Sequence, residues 1–309
     1  MSIYVDKPKS AHEINSPCKG VERILEARLS DLGSFTVKRL LPSHHQSMVG
    51  PWIFFDHFGP VDIAAGKTMD VRPHPHINMA TVTHIFEGEL MHRDSTGSVQ
   101  LIKPGQVNVM FAGRGIVHSE RTPEHLVPVA YRLHGLQLWL AMPEVIEQDE
   151  PCFYHFSEED IPAFKIGDVE GRVMMGSAYG VTSGVKTFSP TLFFEATLPQ
   201  GAELTLPGDV TEIGVYIVEG RLVSGEILLE EGMMAVSTHH DGIHVKATEP
   251  TRIVVIGGEP LGHRYIWWNF VSSRMERIKQ AAYDWDERKF PEIPTDHVER
   301  IPLPEKKPE

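Results

Sequence analysis

Cysteine, long apolar runs and clusters of basic residues are all scarce in this sequence. Its 309 residues include two cysteines, Cys18 and Cys152, too few for a disulfide framework or a CxxC metal site. No stretch reaches the roughly 18 to 20 apolar residues that span a bilayer. The first 15 residues lack the apolar core of a signal peptide. We therefore expect a cytoplasmic protein that does not enter a membrane.

Basic residues are also fewer than acidic residues. The chain has 29 Lys and Arg against 42 Asp and Glu, which gives a formal net charge of −13. A negative surface repels phosphate backbones and anionic lipids, so we expect no direct binding to nucleic acid. The content of 41% hydrophobic and 23% charged residues is that of an ordinary globular protein. The length allows one large domain or two ordinary ones.

The sequence is rich instead in short β-type runs separated by Gly and Pro. Runs of this length with regular turns predict an all-β sandwich or barrel. A helical pattern is clear only at 271–294, where Ser273 and Glu276 have the spacing of a capping box. The β-type runs are 35-FTVKRLL-41, 80-ATVTHIF-86, 106-QVNVMF-111, 136-LQLWLA-141, 191-TLFFEATL-198, 213-IGVYIV-218 and 252-RIVVIGG-258.

Three segments of the first half recur in the same order in the second half, at offsets of 132, 127 and 127 residues. Matching order and offsets predict two copies of one β-unit whose loops differ slightly in length. The paired segments are 86-FEGEL-90 with 218-VEGRL-222, 101-LIKPGQVNVM-110 with 228-LLEEGMMAVS-237, and 113-GRGIVHSE-120 with 240-HDGIHVKA-247.

Two pairs of potential metal ligands lie in the first copy. His74 and His76 are separated by one residue, and so are His118 and Glu120, a pair that begins 44 residues after His74. Side chains at positions i and i+2 of a strand point to the same face, so two facing strands would aim three imidazoles and one carboxylate at one point. This donor set suits a divalent first-row metal such as Fe(II), Mn(II), Co(II), Ni(II), Cu(II) or Zn(II).

The second copy lacks this ligand set. The two copies share a turn glycine, Gly88 in the first and Gly220 in the second. Counting back from it places Leu206 and Gly208 at the positions of the first ligand pair. His244 stands near the histidine of the second pair, and Lys246 or Ala247 stands where its carboxylate would be. We expect one copy to hold a metal and the other to be structural.

A metal held by three histidines and one carboxylate in octahedral geometry keeps two positions open, which is typical of a catalytic site. Aromatic residues near the ligand strands suit a flat organic substrate, although such residues also simply fill β-cores. His84 shares the inward face only if one strand runs unbroken from His74 to Phe86. The candidates for the pocket, or for supporting contacts to the ligands, are Phe55, Asp56, His57, His84, His92 and Phe111.

A family resemblance is carried by 51-PWIFFDHFGP-60, 74-HPH-76, 104-PGQVNVMFAGRGIVHSE-120, 134-HGLQLWLAMP-143 and 262-GHRYIWWNF-270. Together these stretches resemble the pirin family of bicupin proteins, and they extend over most of the chain. The combination of HPH with AGRGIVHSE is the most specific part of the resemblance.

The resemblance implies an all-β fold of two cupin-type, jelly-roll-like β-barrels that face each other, with a short C-terminal helix. It also implies that the N-terminal barrel binds one metal, usually iron, through the four ligands named above. The expected division is a metal-binding cupin barrel at 1–150, a linker at 151–185, a cupin barrel without metal ligands at 186–270, and a helix with a tail at 271–309.

Some pirins are similar to quercetin 2,3-dioxygenases, and others are co-regulators that bind transcription factors. The first hypothesis is therefore an Fe(II)-dependent dioxygenase that opens quercetin or a similar small aromatic substrate with O2, with Glu120 as general base. The alternative is a redox-sensitive regulatory protein that binds a protein partner without turnover. A third is an oxygen-independent cupin reaction such as an isomerisation. The chain departs from many pirins at 77–79, His84 and Val109, which leaves the substrate open.

Overall fold

The structure is a computed structural model that describes residues 20–31, 35–238, 242–306 and 308. Antiparallel strands dominate it, and one α-helix lies near the C-terminal end of the described residues. The prediction of an all-β fold with two barrels and a C-terminal helix is confirmed. Cys18 and the pair His239–His240 lie outside the described residues, and Cys152 is a free thiol of intermediate exposure.

The described chain forms strands in two successive groups. The first group is β1 (Arg23–Glu26), β2 (Arg28–Asp31), β3 (Thr36–Leu41), β4 (Trp52–Ile63), β5 (Val71–His76), β6 (Met79–Glu87), β7 (Leu90–Asp94), β8 (Val99–Ile102), β9 (Val107–Phe111), β10 (Ile116–Arg121), β11 (Tyr131–Ala141) and β12 (Cys152–Phe156). After a 3-10 turn at Glu158–Asp160, the second group is β13 (Ala163–Ile166), β14 (Val169–Met175), β15 (Ser177–Ala178), β16 (Val181–Thr182), β17 (Thr191–Leu198), β18 (Glu203–Thr205), β19 (Glu212–Glu219), β20 (Arg221–Ser224), β21 (Ile227–Glu230), β22 (Met233–Ser237), β23 (His244–Ala247), β24 (Thr251–Gly258), β25 (Tyr265–Trp267) and β26 (Phe270–Ser272). Helix α1 (Met275–Asp286) follows.

Two barrels of the same design are built from these strands. The first combines a seven-stranded sheet in the order β12-β9-β6-β11-β4-β3-β2 with a four-stranded sheet in the order β5-β10-β7-β8. The second has the orders β1-β22-β19-β24-β17-β14-β13 and β18-β23-β20-β21. The orders correspond strand for strand, as expected for two copies of one β-unit.

Two edge strands do not belong where the predicted domain division places them. β1 pairs with β22 of the second barrel, and β12 pairs with β9 of the first. The segment 151–185, for which the sequence predicts a linker, therefore carries β12 of the first barrel together with β13 and β14 of the second. We propose that the division between the barrels falls at 157–162, between β12 and β13.

The two seven-stranded sheets share one apolar core between the barrels. Trp52 of β4 is fully buried there, and its indole Nε1 donates to the carbonyls of Leu192 and Gly257 in the second barrel, both at 3.1 Å. The ring of Phe55 lies 4.8 Å from that of Tyr216. Because buried aromatic side chains remove large apolar areas from water, this joint fixes the barrels against each other.

The helix is shorter than the sequence pattern predicts, and it begins at Met275. Arg274 is its N-cap residue and makes no side-chain capping bond, so the predicted capping box at Ser273 is wrong. The amide and hydroxyl of Ser273 instead donate to the buried carboxylate of Glu147, at 3.0 and 2.8 Å. With 12 residues α1 is too short to cross a bilayer, and within the described ranges no helix could do so.

A hairpin and the segment after the helix return to the first barrel. Trp268 and Asn269 join β25 to β26, and Trp268 has a φ of 54°, a conformation that bulky residues rarely adopt. Farther on, the amide of Ile301 donates to the carbonyl of Pro73 at 2.9 Å, and the Ile301 carbonyl accepts from Nε1 of Trp285 at 3.0 Å. The C-terminal segment thus lies beside β5, the strand that carries two of the predicted ligands.

Candidate metal centre and substrate cavity

Three histidines converge inside the first barrel. In the pairing of β5 with β10, His118 lies opposite His74, and alternation along β5 puts His76 on the same face as His74. Their ligand atoms all lie within 4.8 Å of one another, and their ring centroids are 4.3 to 5.0 Å apart. An arrangement of this size can hold one metal ion on three imidazoles.

Hydrogen bonds behind two of the rings fix which nitrogen faces the interior. Nδ1 of His74 lies 2.8 Å from the carbonyl of Arg72, and Nδ1 of His76 lies 2.9 Å from the carbonyl of Asn269. A carbonyl oxygen only accepts, so in both neutral rings Nδ1 carries the proton and Nε2 carries a lone pair. Outer hydrogen bonds of this kind orient histidines that bind metals.

The third ring is oriented by another histidine. Nδ1 of His118 lies 3.5 Å from Nδ1 of His92, and Nε2 of His92 lies 3.1 Å from a carboxylate oxygen of Asp94. Burial alone would raise the pKa of Asp94, but hydrogen bonds from His92 and Thr96 outweigh it and lower this pKa. The ionised carboxylate keeps the His92 proton on Nε2, which leaves Nδ1 to accept from His118. Among the described residues, Nε2 of His118 is buried without a hydrogen-bond partner.

Burial keeps this cluster neutral. It lowers the pKa of His74 to about 4 and the pKa values of His76 and His118 well below the usual value, and the neighbouring histidines add to the effect. All three imidazoles are therefore uncharged at neutral pH. Only the uncharged ring has a nitrogen lone pair that can bind a metal ion.

Glu120 lines the same cavity as the three histidines, but it is not a member of the group whose ligand atoms lie within 4.8 Å of one another. β10 shifts its register against β5 between His118 and Glu120, so Glu120 pairs with Val71. Its Oε1 is buried and lacks a partner in the part of the chain that the structure describes, and burial raises the pKa of this carboxyl to about 7. Such a group can take up and release a proton near neutral pH.

The cluster adjoins a cavity whose walls are mainly apolar. The rings of Phe54 and Trp139 stack at 4.0 Å and 12°, and the Trp139 ring lies 5.1 Å from that of His76. Other walls come from the strands of the first barrel, the β25–β26 turn and the C-terminal segment. These apolar walls are Phe35, Val37, Phe58, Met69, Val71, Leu90, Leu133, Trp268 and Ile301.

The seven-stranded sheet also brings polar groups into the cavity. Arg39 binds both carboxylate oxygens of Asp56, at 2.6 and 2.5 Å, and both side chains are buried. Burial raises the pKa of Asp56, while the hydrogen bond and charge of Arg39 oppose this shift. The Arg39 guanidinium also lies 4.5 Å from the centre of the Phe54 ring. Gln137 lies next to Asp56 in the neighbouring strand and lines the cavity as well.

Asp56 is the one member of the six predicted pocket residues that lines the cavity. Its neighbours Phe55 and His57 point to the other face of β4, because side chains alternate along a strand. Nδ1 of His57 lies 2.7 Å from the hydroxyl of Tyr216 in the second barrel. Phe111 also faces the core between the barrels.

His84 and His92 do not line the cavity either. β5 ends at His76 and β6 begins at Met79 in the other sheet, so the strand is broken and the parity that linked His84 to His74 is lost. Nε2 of His84 lies 3.1 Å from a carboxylate oxygen of Glu195 in the second barrel. His92 lies behind His118 and orients that ring through the contact between their Nδ1 atoms.

Sequence reasoning missed several residues of the site. Gln137 and Trp139 could have been found from the sequence, because they alternate with leucines in 136-LQLWLA-141. This alternation predicts that both side chains share one face of a buried strand. Arg39 carried a weaker signal, as a charge within a mostly apolar run. Asn269 is 193 residues from the histidine that it orients, and neither it nor Ile301 has a local signal.

The second barrel fills the equivalent positions with apolar side chains. Strand order and register make Leu204, Leu206, Val245 and Ala247 the counterparts of the four predicted ligands, and each is at most 2% exposed. The prediction that used Leu206 and Gly208 for the first pair is wrong by two residues. The reason is that the segment before the shared turn glycine is two residues longer in the second copy.

Comparisons with known proteins agree with this architecture. Residues 34–140 match the family model named Pirin, and residues 193–291 match the Pirin C-terminal cupin domain. A pirin-like protein of Caulobacter vibrioides is 43% identical over 290 residues, which are 92% of this chain and 100% of that protein. A crystal structure of quercetin 2,3-dioxygenase from Acinetobacter baumannii has a TM-score of 0.85 and 34% identity, and covers 93% of this chain and 96% of that one. A crystal structure of a bacterial pirin from Escherichia coli in complex with nickel(II) has a TM-score of 0.60 at 17% identity, covers 77% and 98% of the two chains, and shows likeness of fold.

Proposed function

The chain belongs to the pirin family, and we propose that it is a mononuclear metal-dependent dioxygenase that opens flavonols such as quercetin with O2. The observation that carries the proposal is the convergence of His74, His76 and His118 at an aromatic-lined cavity in the first barrel. The name of the structural neighbour at 34% identity supports this substrate class.

The residues present fit a divalent first-row metal. The three imidazoles are neutral, and hydrogen bonds on the far sides of the rings leave Nε2 as the atom that would bind. Nε2 of His118 and Oε1 of Glu120 are buried polar atoms, and their lost hydration is costly unless something else compensates for it. We propose that His74, His76, His118 and Glu120 hold the ion. Fe(II) is our first choice, and Mn(II), Co(II), Ni(II), Cu(II) and Zn(II) accept the same donors.

When bound, the metal supplies a positive charge that acidifies a coordinated hydroxyl group and a position at which O2 can react. Glu120 accepts the proton of the substrate's enolic hydroxyl when its carboxylate is released from the ion, since it lines the cavity in which the substrate binds. The Asn269 carbonyl and His92 orient the imidazoles of His76 and His118, so that Nε2 of each ring points toward the proposed ion.

The cavity walls have a separate task, which is to position the substrate. The stacked rings of Phe54 and Trp139 offer a flat surface beside His76, and a planar aromatic substrate can pack against it. The apolar walls exclude water, which strengthens the electrostatic interactions of the substrate oxyanion. The site is therefore suited to a planar molecule that carries an acidic hydroxyl at one end.

Aerobic turnover of quercetin by the iron-loaded protein tests the proposal. We expect O2 uptake to match the loss of flavonol absorbance and the release of carbon monoxide. His118→Val should abolish both metal binding and turnover, whereas His244→Ala, an exposed histidine of the second barrel, should leave both unchanged. Metal-loaded protein that consumes no O2 with several flavonols would contradict the dioxygenase and favour a binding role.

A further inference from the structure

We propose that Gln137 determines substrate specificity by donating a hydrogen bond to a neutral oxygen of the substrate, at the end remote from the metal. The inference rests on the proposed function, because it assigns a second contact in the same cavity. It narrows the substrate class to planar aromatics that carry a hydroxyl or carbonyl away from the metal-binding oxygens.

Gln137 belongs to a row of polar residues that crosses the inner face of the seven-stranded sheet of the first barrel. Each member lies directly beside the next in the register of neighbouring strands, and the members are bonded in pairs. In the order of the strands, the row is Arg39, Asp56, Gln137, Thr83, Asn108 and His155.

The Gln137 amide is held in place but is not satisfied. The hydroxyl of Thr83 donates to Oε1 of Gln137 at 3.0 Å, which fixes the plane of the amide. Nε2 of Gln137 is buried and has no hydrogen-bond partner within the described ranges. Since a buried donor without an acceptor is unfavourable, an occupant of the cavity that offers an oxygen is bound preferentially over one that does not.

The neighbours of Gln137 indicate that this oxygen is neutral. On one side Asp56 has both carboxylate oxygens engaged by Arg39, so the pair presents balanced charge. On the other side Thr83 contributes only a hydroxyl. Gln137 itself offers a substrate carboxylate no positive charge, whereas a hydroxyl or carbonyl needs only the amide N–H.

The distance along β11 fits an aromatic ring system. Gln137 and Trp139 share the inner face of the strand, two residues and about 7 Å apart. The Trp139 ring itself lies 5.1 Å from that of His76. A flat substrate whose acidic hydroxyl lies at the histidine cluster therefore extends past Trp139 and brings its far edge to Gln137.

Anaerobic binding titrations of the Fe(II)-loaded protein test the proposal without turnover. The two probes are quercetin and 3-hydroxyflavone, which keeps the metal-binding 3-hydroxyl and 4-carbonyl but lacks the other hydroxyls. Quenching of tryptophan fluorescence reports binding, since Trp139 lines the cavity. Gln137→Met keeps the shape of the side chain. We expect it to weaken the affinity for quercetin about fivefold and to leave the affinity for 3-hydroxyflavone within about twofold of the wild type.

Two threonines of β6 provide matched controls. Thr83→Val should also weaken the affinity for quercetin, though less than Gln137→Met does, because the Gln137 amide loses its fixed orientation. Thr81→Val, on the same face but opposite Trp139, should change neither affinity. If Gln137→Met does not retain one metal per chain and the wild-type melting temperature, Gln137→Asn takes its place with the same expectation, because the shorter side chain withdraws the amide from the substrate.

The outcomes separate this inference from the proposed function. Equal weakening of both flavonols, or of neither, overturns the role of Gln137 even if quercetin is turned over in air. Selective loss of quercetin affinity without any O2 uptake supports the contact and contradicts the dioxygenase. Wild-type protein that holds metal but binds neither flavonol overturns both.

Discussion

The two barrels share a strand order but enclose different interiors. In the first barrel, four polar ligand positions adjoin a cavity with aromatic walls and a buried ion pair. In the second barrel, the same four positions belong to a continuous apolar core. The counterparts of the predicted ligands in that core are Leu204, Leu206, Val245 and Ala247.

The same fold therefore provides four inward positions in each barrel. The side chains at these positions decide whether the barrel has a metal-ligand set or an apolar core. The second barrel contributes a rigid apolar partner across the joint formed by Trp52 and Tyr216. The chain beyond it supplies Asn269, whose carbonyl orients a histidine of the first barrel. The site is thus built from one barrel and completed by a segment distant in sequence.

The largest effect should come from giving the first barrel the interior of the second. The combined change His74→Leu, His76→Leu and His118→Val places the apolar counterparts in the ligand positions. We expect complete loss of bound metal, measured by elemental analysis, and complete loss of quercetin turnover, because no nitrogen donor remains. One full equivalent of metal retained by this variant would show that the ion binds elsewhere.

Acid should destabilise the first barrel before the second. Burial holds the pKa of His57 at about 3 and that of His74 at about 4, while the unfolded chain takes up protons near 6.5. A histidine with a depressed pKa in the folded state gives full stability above pH 6.5, and this stability is lost as the pH falls. At pH 5 each such histidine costs roughly 2 kcal/mol.

Hydrogen exchange of the metal-free protein at pH 7 and pH 5, read by mass spectrometry for each barrel, measures this difference. We expect the strands of the first barrel to lose protection at pH 5 while those of the second change less. His57→Phe should retain more protection at pH 5 than the wild type. Equal loss in both barrels would contradict the assignment of acid sensitivity to the buried histidines.

Glu120 should produce an effect of opposite sign. Its pKa is about 7 in the metal-free fold and near 4.5 in the unfolded chain, so the folded state holds a proton that the unfolded state releases. The contribution of Glu120 to stability therefore falls as the pH rises from about 4.5 to 7, by roughly 3 kcal/mol at most. Denaturant melts of the wild type and Glu120→Gln between pH 5 and 8 measure this contribution as the difference between their unfolding free energies, which cancels the effect of the histidines. We expect the wild type to lose stability relative to the variant as the pH rises, and a difference that does not change with pH would contradict the assignment to Glu120.

The smallest effect should follow from loosening the C-terminal segment, which contacts β5, β10 and helix α1. Arg121, next to Glu120, binds both carboxylate oxygens of Asp296 at 2.8 and 2.9 Å. Asp296→Ala should lower the free energy of unfolding by about 1 kcal/mol and speed removal of the metal by a chelator a few-fold. Glu203→Ala, which removes an exposed ion pair with Lys246 in the second barrel, should change neither quantity measurably.

How far the sequence predicted the site depended on strand parity. The histidine cluster followed from residues two apart on one strand face, and the structure brings His74, His76 and His118 together. The pocket prediction ignored the same rule, because Phe55 and His57 cannot share a face with Asp56. The prediction that His84 lines the pocket is wrong for a related reason. The chain changes sheets at 77–78, where Asn78 has a φ of 58°, so His84 does not continue the alternation of β5.

Contacts between distant segments could not be predicted in this way. The repeat offsets indicated two copies of one unit, yet they gave no sign that β1 pairs with the second barrel. Asn269 and Ile301 reach the site through a turn and a tail whose placement depends on packing against the folded barrel. Such contacts depend on tertiary packing, and no local periodicity encodes them.

Anomalous diffraction from crystals of the Fe(II)-loaded protein, recorded on both sides of the iron absorption edge, tests the central claim most directly. The account predicts one strong peak per chain in the first barrel, within bonding distance of Nε2 of His74, His76 and His118 and of a Glu120 oxygen. It predicts no peak at the apolar counterparts in the second barrel. A fully loaded crystal with iron at any other position would contradict it.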